Sequence, residues 1–160
     1  MKVVCWDVQG AKKPHLRLEV GFITRTINPD ILFMLETMVK EQNAESIITT
    51  LGFSHHERIP STNHCGGIWC FWNPVNVDVT IITKDNRAIH CSVADMITNK
   101  HCILTAVYAP AQSAEKEVFW PHLQQLNESF TLPWCIIGDF DELLDSSNKI
   151  GGGPLLSNRT

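Results

Sequence analysis

Two rhythms of apolar residues alternate along the chain. Short apolar or alternating blocks predict strands over residues 2–8, 31–36, 53–59, 68–72, 77–83, 88–96, 102–108 and 134–138. Elsewhere the spacing lengthens to that of a helix lying on a sheet. Leu16, Val20, Ile23 and Ile27 follow it in a helix predicted to begin near Pro14 and to stop at Asn28-Pro29. Ala44, Ile47, Ile48 and Leu51 share one face of a helix over 40–51, with Gly52 placed as its C-terminal cap. Phe119, Leu123, Leu126 and Phe130 mark a third helix over 113–130, whose first turn carries Glu115 and Glu117 where the helix dipole favours acids. Turn signals such as Gly66-Gly67 and Asn73-Pro74 separate the strands of the middle region. This order predicts an α/β fold, either one mixed sheet or two packed sheets, covered outside by helices.

Composition narrows the picture without naming a chemistry. The 160 residues, 44% of them hydrophobic, fit a single domain over 1–160 with a real core. A net charge of −4 excludes a global electrostatic pull toward nucleic acid, so any such contact must be local. The first residues lack a signal-peptide stretch and the apolar run 31–35 cannot span a bilayer, so a soluble intracellular protein with no membrane partner is expected. The six cysteines show no CxxC pair and are expected to be reduced. Three His-Cys dipeptides suggest zinc, but His90-Cys91 and His101-Cys102 fall in strands, where neighbouring side chains point to opposite faces. Small buried thiols beside solvated histidines are the expected arrangement.

The chemical clue is where the acids fall. Three apolar strands end in one: Val3-Val4-Cys5-Trp6-Asp7, Ile31-Leu32-Phe33-Met34-Leu35-Glu36 and Cys135-Ile136-Ile137-Gly138-Asp139. Strand ends are where α/β sheets gather ligands. Converging acids repel one another unless a hard cation such as Mg²⁺ joins them, and that ion keeps room in its shell for phosphate oxygens. Acids also follow strands simply as turn formers or helix caps, and spacing alone leaves the two readings open. Asp139-Phe140-Asp141-Glu142 is equally an acidic loop or part of a site. Tyr108 is equally a strand-end tyrosine before a proline turn, and Lys12 and Lys13 a solvated loop.

Four segments together change this. Cys5-Trp6-Asp7-Val8-Gln9-Gly10, Asn28-Pro29-Asp30-Ile31 with Leu35-Glu36-Thr37, Val107-Tyr108-Ala109-Pro110, and Ile137-Gly138-Asp139-Phe140-Asp141-Glu142 occur in the order of one family. The chain resembles the endonuclease/exonuclease/phosphatase superfamily, most closely the endonuclease domains of plant LINE-type retrotransposons. Gly66-Gly67-Ile68, the Trp120 helix and Lys149-Ile150-Gly151-Gly152 resemble that plant branch too.

The resemblance implies a four-layer α/β sandwich of two mixed β-sheets flanked by helices, Mg²⁺ (or Mn²⁺) dependence, and nicking of DNA in the nucleus. It implies Glu36 as the principal metal ligand with Asp7 beside it, Asp139 orienting the attacking water, and Tyr108 bonding the phosphate. Asp141 falls on the fourth motif of the catalytic set, and Lys12 and Lys13 on a loop that touches DNA phosphates.

The sequence departs from the family pattern in three places. Asp7 and Asp141 each stand where the family has Asn, and a carboxylate at 141 repels the phosphate that an amide would bond. The chain stops at Thr160, before the closing Ser-Asp-His motif, which implies a sandwich incomplete at the C-terminus. None of the seven histidines replaces that motif, and each is expected at the surface. An unpaired sheet edge and self-association are expected to follow. The alternative to a working nuclease is a catalytically inactive relic or a domesticated module that binds nucleic acid or protein. Gly151-Gly152-Gly153 lacks the Lys and Ser or Thr of a phosphate-binding loop and reads as a plain loop.

Overall fold

The computed structural model describes residues 1–62 and 66–141. Their order is β1 (Val3–Asp7), α1 (Leu16–Thr26), β2 (Ile31–Leu35), α2 (Glu41–Leu51), β3 (His55–Ile59), β4 (Ile68–Trp72), β5 (Val77–Lys84), β6 (Ala88–Asp95), β7 (His101–Tyr108), α3 (Ser113–Ser129) and β8 (Trp134–Asp139). Two four-stranded sheets form, in the orders β1-β2-β4-β3 and β5-β6-β7-β8. In each, one parallel pair lies at an edge, β1 with β2 and β7 with β8, and the other pairings are antiparallel. Both sheets are therefore mixed, and each parallel pair is joined through a helix, as parallel strands require.

Alternation along the strands sorts the side chains into layers. Ile31, Phe33 and Leu35 of β2 meet Ile89, Cys91 and Val93 of β6 and Leu104 of β7 in the core between the sheets. The other face of β2, Leu32 and Met34, packs with Val20 of α1 and Ala44 and Ile48 of α2. On the far side, Phe119 and Leu123 of α3 cover Ala88 and Val107. The result is a four-layer α/β sandwich. Burying a Leu, Ile or Phe side chain is worth roughly 1.5–3 kcal/mol, and most of the large apolar side chains lie in these three clusters.

Some local expectations change. α1 starts at Leu16 rather than near Pro14, with His15 as an N-cap that makes no side-chain bond. β3 starts at His55, because Phe53 turns away to stack on Phe71 at 4.6 Å. β2 is fully buried, but β1 and β8 are half-buried, since each has a strand on one side only among the described residues. Gly52 caps α2 at φ +82°, in the left-handed conformation expected of it. His90 overturns the expectation that every histidine lies at the surface. It is fully buried beneath α3, its Nδ1 2.9 Å from Thr105 Oγ1. Cys91 points the other way into the central core, so the two residues do share a strand and face opposite sides. His64, Cys65, Glu142 and the Lys149–Gly153 motifs lie outside the described residues.

Candidate functional site

Parallel pairing has one geometric consequence that decides where chemistry can sit. Two parallel strands end on the same edge, so β1 and β2 deliver their C-terminal residues together, and β7 and β8 do likewise with Tyr108 opposite Asp139. Asp7 lies two and four residues beyond Cys5 and Val3, both of which pack on the central core. By the same alternation, Asp139 shares a face with Ile137. Both acids thus stand at the mouth of the space between the sheets.

The two aspartates are built alike. Asp7 Oδ1 accepts the backbone N–H of Gln9 at 3.1 Å, and Asp139 Oδ1 accepts that of Asp141 at 3.0 Å. Gln9 and Asp141 both take positive φ, 47° and 50°, which turns the chain sharply after each strand. Turn formation therefore uses one oxygen of each carboxylate, and among the described residues no hydrogen bond engages Oδ2. The turn-former reading and the site reading are compatible.

Cys5 reports the charge between them. Burial first, then the carboxylates of Asp139 and Asp7, push its thiol up to about 12, so it stays protonated.

Glu36 is held differently. It follows β2 with φ +50°, an uncommon conformation for a residue with a side chain, and Met38 repeats it at +53°. Backbone bonds on both sides impose the shape. Gly10 and Ala11 donate to the Glu36 and Thr37 carbonyls at 2.8 and 2.7 Å, while Thr37 and Met38 donate to Gly67 and Gly66 at 3.2 and 3.0 Å. A Cβ on Gly67 would lie 2.4 Å from Thr37 Oγ1, so only glycine permits the approach. The Gly66-Gly67 turn signal is thus part of what fixes Glu36, a role the sequence pattern does not reveal.

Across the crevice, the Tyr108 hydroxyl donates a hydrogen bond to Glu36 Oε1. Burial, this bond and the negative charges of Glu36 and Asp139 all raise the phenol's pKa, so Tyr108 acts as a donor. Arg87 supports it, with its guanidinium 5.7 Å from the Tyr108 ring centroid and its Nη2 donating to Glu115 at 2.7 Å. Lys116, buried in α3, donates to the Asp141 carbonyl at 2.5 Å. Neither Arg87 nor Lys116 carries a sequence signal that would have marked it.

The arrangement brings together Glu36 with Tyr108, and Asp7 with Asp139 around Cys5. No group of three or more His, Cys, Asp or Glu side chains among the described residues forms a ready-made metal cage. The donor set still suits Mg²⁺, which binds through one or two carboxylates and takes its remaining oxygens from water and phosphate. Glu36 Oε2 and the aspartate Oδ2 atoms are hard oxygen donors of that kind. Lys12 and Lys13 lie on the loop after β1, where they line a groove facing α2.

No family model and no curated protein matches the chain in sequence. Solved structures do match it. The endonuclease domain of TRAS1, a telomere-specific non-LTR retrotransposon, is 14% identical with a TM-score of 0.65, over 89% of this chain and 61% of that one. The Xenopus laevis APE2 catalytic domain is 16% identical (TM-score 0.64; 89% and 59%). The AP endonuclease LMAP from Leishmania major is 15% identical (0.64; 86% and 54%). The chain spans between 54% and 61% of the length of these three. At such identity the likeness establishes the fold alone: an α/β sandwich of two mixed sheets flanked by helices, shared with these three structures.

Proposed function

We propose that the chain is a metal-dependent phosphodiesterase that nicks DNA, derived from a LINE-type retroelement endonuclease of the plant branch and working on nuclear DNA. The observation that carries this reading is the hydrogen bond from Tyr108 to Glu36, which ties the ends of the two parallel pairs across one crevice. Glu36 and Asp7 would hold Mg²⁺, or Mn²⁺ in its place, and the ion would neutralise phosphate charge and lower the pKa of a water. Asp139, whose Oδ2 has no partner among the described residues, orients an attacking water and accepts its proton. The Tyr108 hydroxyl, whose single proton is otherwise shared with Glu36, turns to donate to a phosphate oxygen when Glu36 holds the ion. Asp141 opposes it, because a carboxylate repels the anion that an amide would bond. Lys12 and Lys13 bind phosphates of the flanking strand.

β1 and β8 are edge strands among the described residues, and we include self-association along them in the proposal. A monodisperse monomer at high concentration would remove that part. For the main claim, supercoiled plasmid is incubated with the protein in Mg²⁺ or EDTA, beside Glu36→Gln. Mg²⁺-dependent nicking that falls on the order of 10³-fold in the variant, several kcal/mol of transition-state stabilisation, is expected. A folded protein that binds DNA without nicking it would establish the inactive binding module instead.

A further inference from the structure

Away from the crevice, three cations line a single groove on the outer layer of the first sheet. A groove of about 470 Å³ runs between the loop after β1, the first turn of α1 and α2. That is within the ~300–1,000 Å³ of clefts that hold small organic ligands. Lys12, Lys13 and Arg17 stand along it, and no carboxylate among the described residues pairs with any of them. By contrast, Arg58 is paired with Glu41 and Glu45, Lys84 with Glu57, and Arg87 with Glu115. In a chain of net charge −4, three adjacent uncompensated cations form a local attractor for an anion.

The rest of the groove indicates which anion. Asn43, Ser46 and Thr50 of α2 line it with neutral hydrogen-bonding groups, whereas Leu16, Ile47 and Leu51 add apolar surface. A duplex presents its phosphates on a convex rod and needs no cavity. An unpaired nucleotide brings a phosphate and a flat ring into the same cleft, which suits cations beside apolar side chains. The groove is also fastened to the acidic crevice. Lys13 Nζ donates to the Val8 carbonyl at 2.8 Å, next to Asp7, and the Gly10 and Ala11 N–H groups hold the Glu36–Thr37 backbone.

We propose that this groove binds an unpaired nucleotide of a single strand that leaves the crevice, with Arg17 and the α2 rim as binding residues alongside Lys12 and Lys13. The inference rests on the reading of the crevice as a phosphodiester site. The test is fluorescence anisotropy in EDTA, where cleavage cannot occur, with a labelled oligothymidylate, a blunt duplex of equal length, and AMP as competitor. The single strand binds more tightly than the duplex. In Lys12→Ala/Lys13→Ala/Arg17→Ala its affinity falls at least about tenfold, and the slope of log K against log salt flattens by about 2, at ~0.7 for each phosphate that the variant no longer neutralises. Thr50→Glu, an exposed rim change, weakens binding in the same direction.

Unchanged affinity and slope in the triple variant, with an unchanged melting curve, would overturn the proposal. So would equal preference for duplex, or displacement by AMP at phosphate concentrations where the strand stays bound, which would indicate a free-nucleotide site. The plasmid assay keeps the two claims apart. Strand binding that depends on the three cations without any nicking sinks the crevice reading alone, whereas nicking with cation-independent binding sinks the groove alone.

Discussion

The unit β1–α1–β2 and the unit β7–α3–β8 share a connectivity, and β1 and β8 end in the same turn, yet the units contribute different chemistry. Asp7 and Asp139 are near copies in local geometry, so geometry at a strand end does not by itself separate a turn former from a functional acid. The partner strand separates them. β2 ends in Glu36, forced into a left-handed conformation by two pairs of backbone bonds, and β7 ends in Tyr108, backed by Arg87. The first unit supplies the strained acid and the open basic loop. The second supplies the donor and a tightly supported helix.

The largest effect is expected from breaking the second unit's pairing. A Cβ on Gly138, at φ +154°, would lie 1.9 Å from the Val107 carbonyl oxygen, so Gly138→Ala must separate β7 from β8. A loss of about 3 kcal/mol or more is expected in urea unfolding. Gly52→Ala, where nothing lies within 4 Å, should cost about 1 kcal/mol through φ alone.

Next in size is Tyr108→Phe, which removes the one side-chain bond between the units at the crevice among the described residues. Cleavage of plasmid should drop on the order of 10²-fold while the melting temperature moves little, and an unchanged rate would show that the bond is only structural.

A smaller effect concerns the helix over the second unit. Burial lowers the His90 pKa from 6.5, with a smaller opposing contribution from Asp85. A histidine held neutral in the fold loses stability as pH falls, because the unfolded chain takes up a proton near pH 6.5 and the folded one does not. The wild type should therefore weaken below about pH 6.5, by at most ~1.4 kcal/mol per pH unit, and His90→Gln should flatten that slope in pH-dependent urea melts. Equal slopes would mean that His90 is protonated in the fold as readily as out of it. The smallest change expected is a few-fold faster nicking in Asp141→Asn, worth up to about 1 kcal/mol, measured in the same plasmid assay.

Much of this is legible in the sequence. The three helices follow from their apolar stripes, the strands from short apolar runs, and Gly52 from its place after Leu51. The acids at 7, 36 and 139 are visible as strand-end residues. What is not visible depends on long-range pairing. Nothing local announces that β7 and β8 lie parallel, which is what sets Tyr108 beside Asp139, or that Gly66-Gly67 grips the backbone after Glu36. His90 departs from its expected place for a related reason. The alternation His90-Cys91-Ser92-Val93 marks a polar face, and only the docking of α3 on that face decides that it meets a helix rather than water. Lys12 and Lys13 are visible as charges, but the groove they share with α2 depends on two elements that are separate in sequence.

The central claim is that the ends of the two parallel pairs form one cation-binding crevice. Mn²⁺ titrated into the isotope-labelled protein tests it directly, because the ion broadens nearby amide resonances. The account predicts that Val8, Thr37, Ala109 and Phe140, each within two residues of a strand end, broaden together in the wild type and stay sharp in Glu36→Gln. Broadening confined to one unit, or persisting unchanged in that variant, would contradict it.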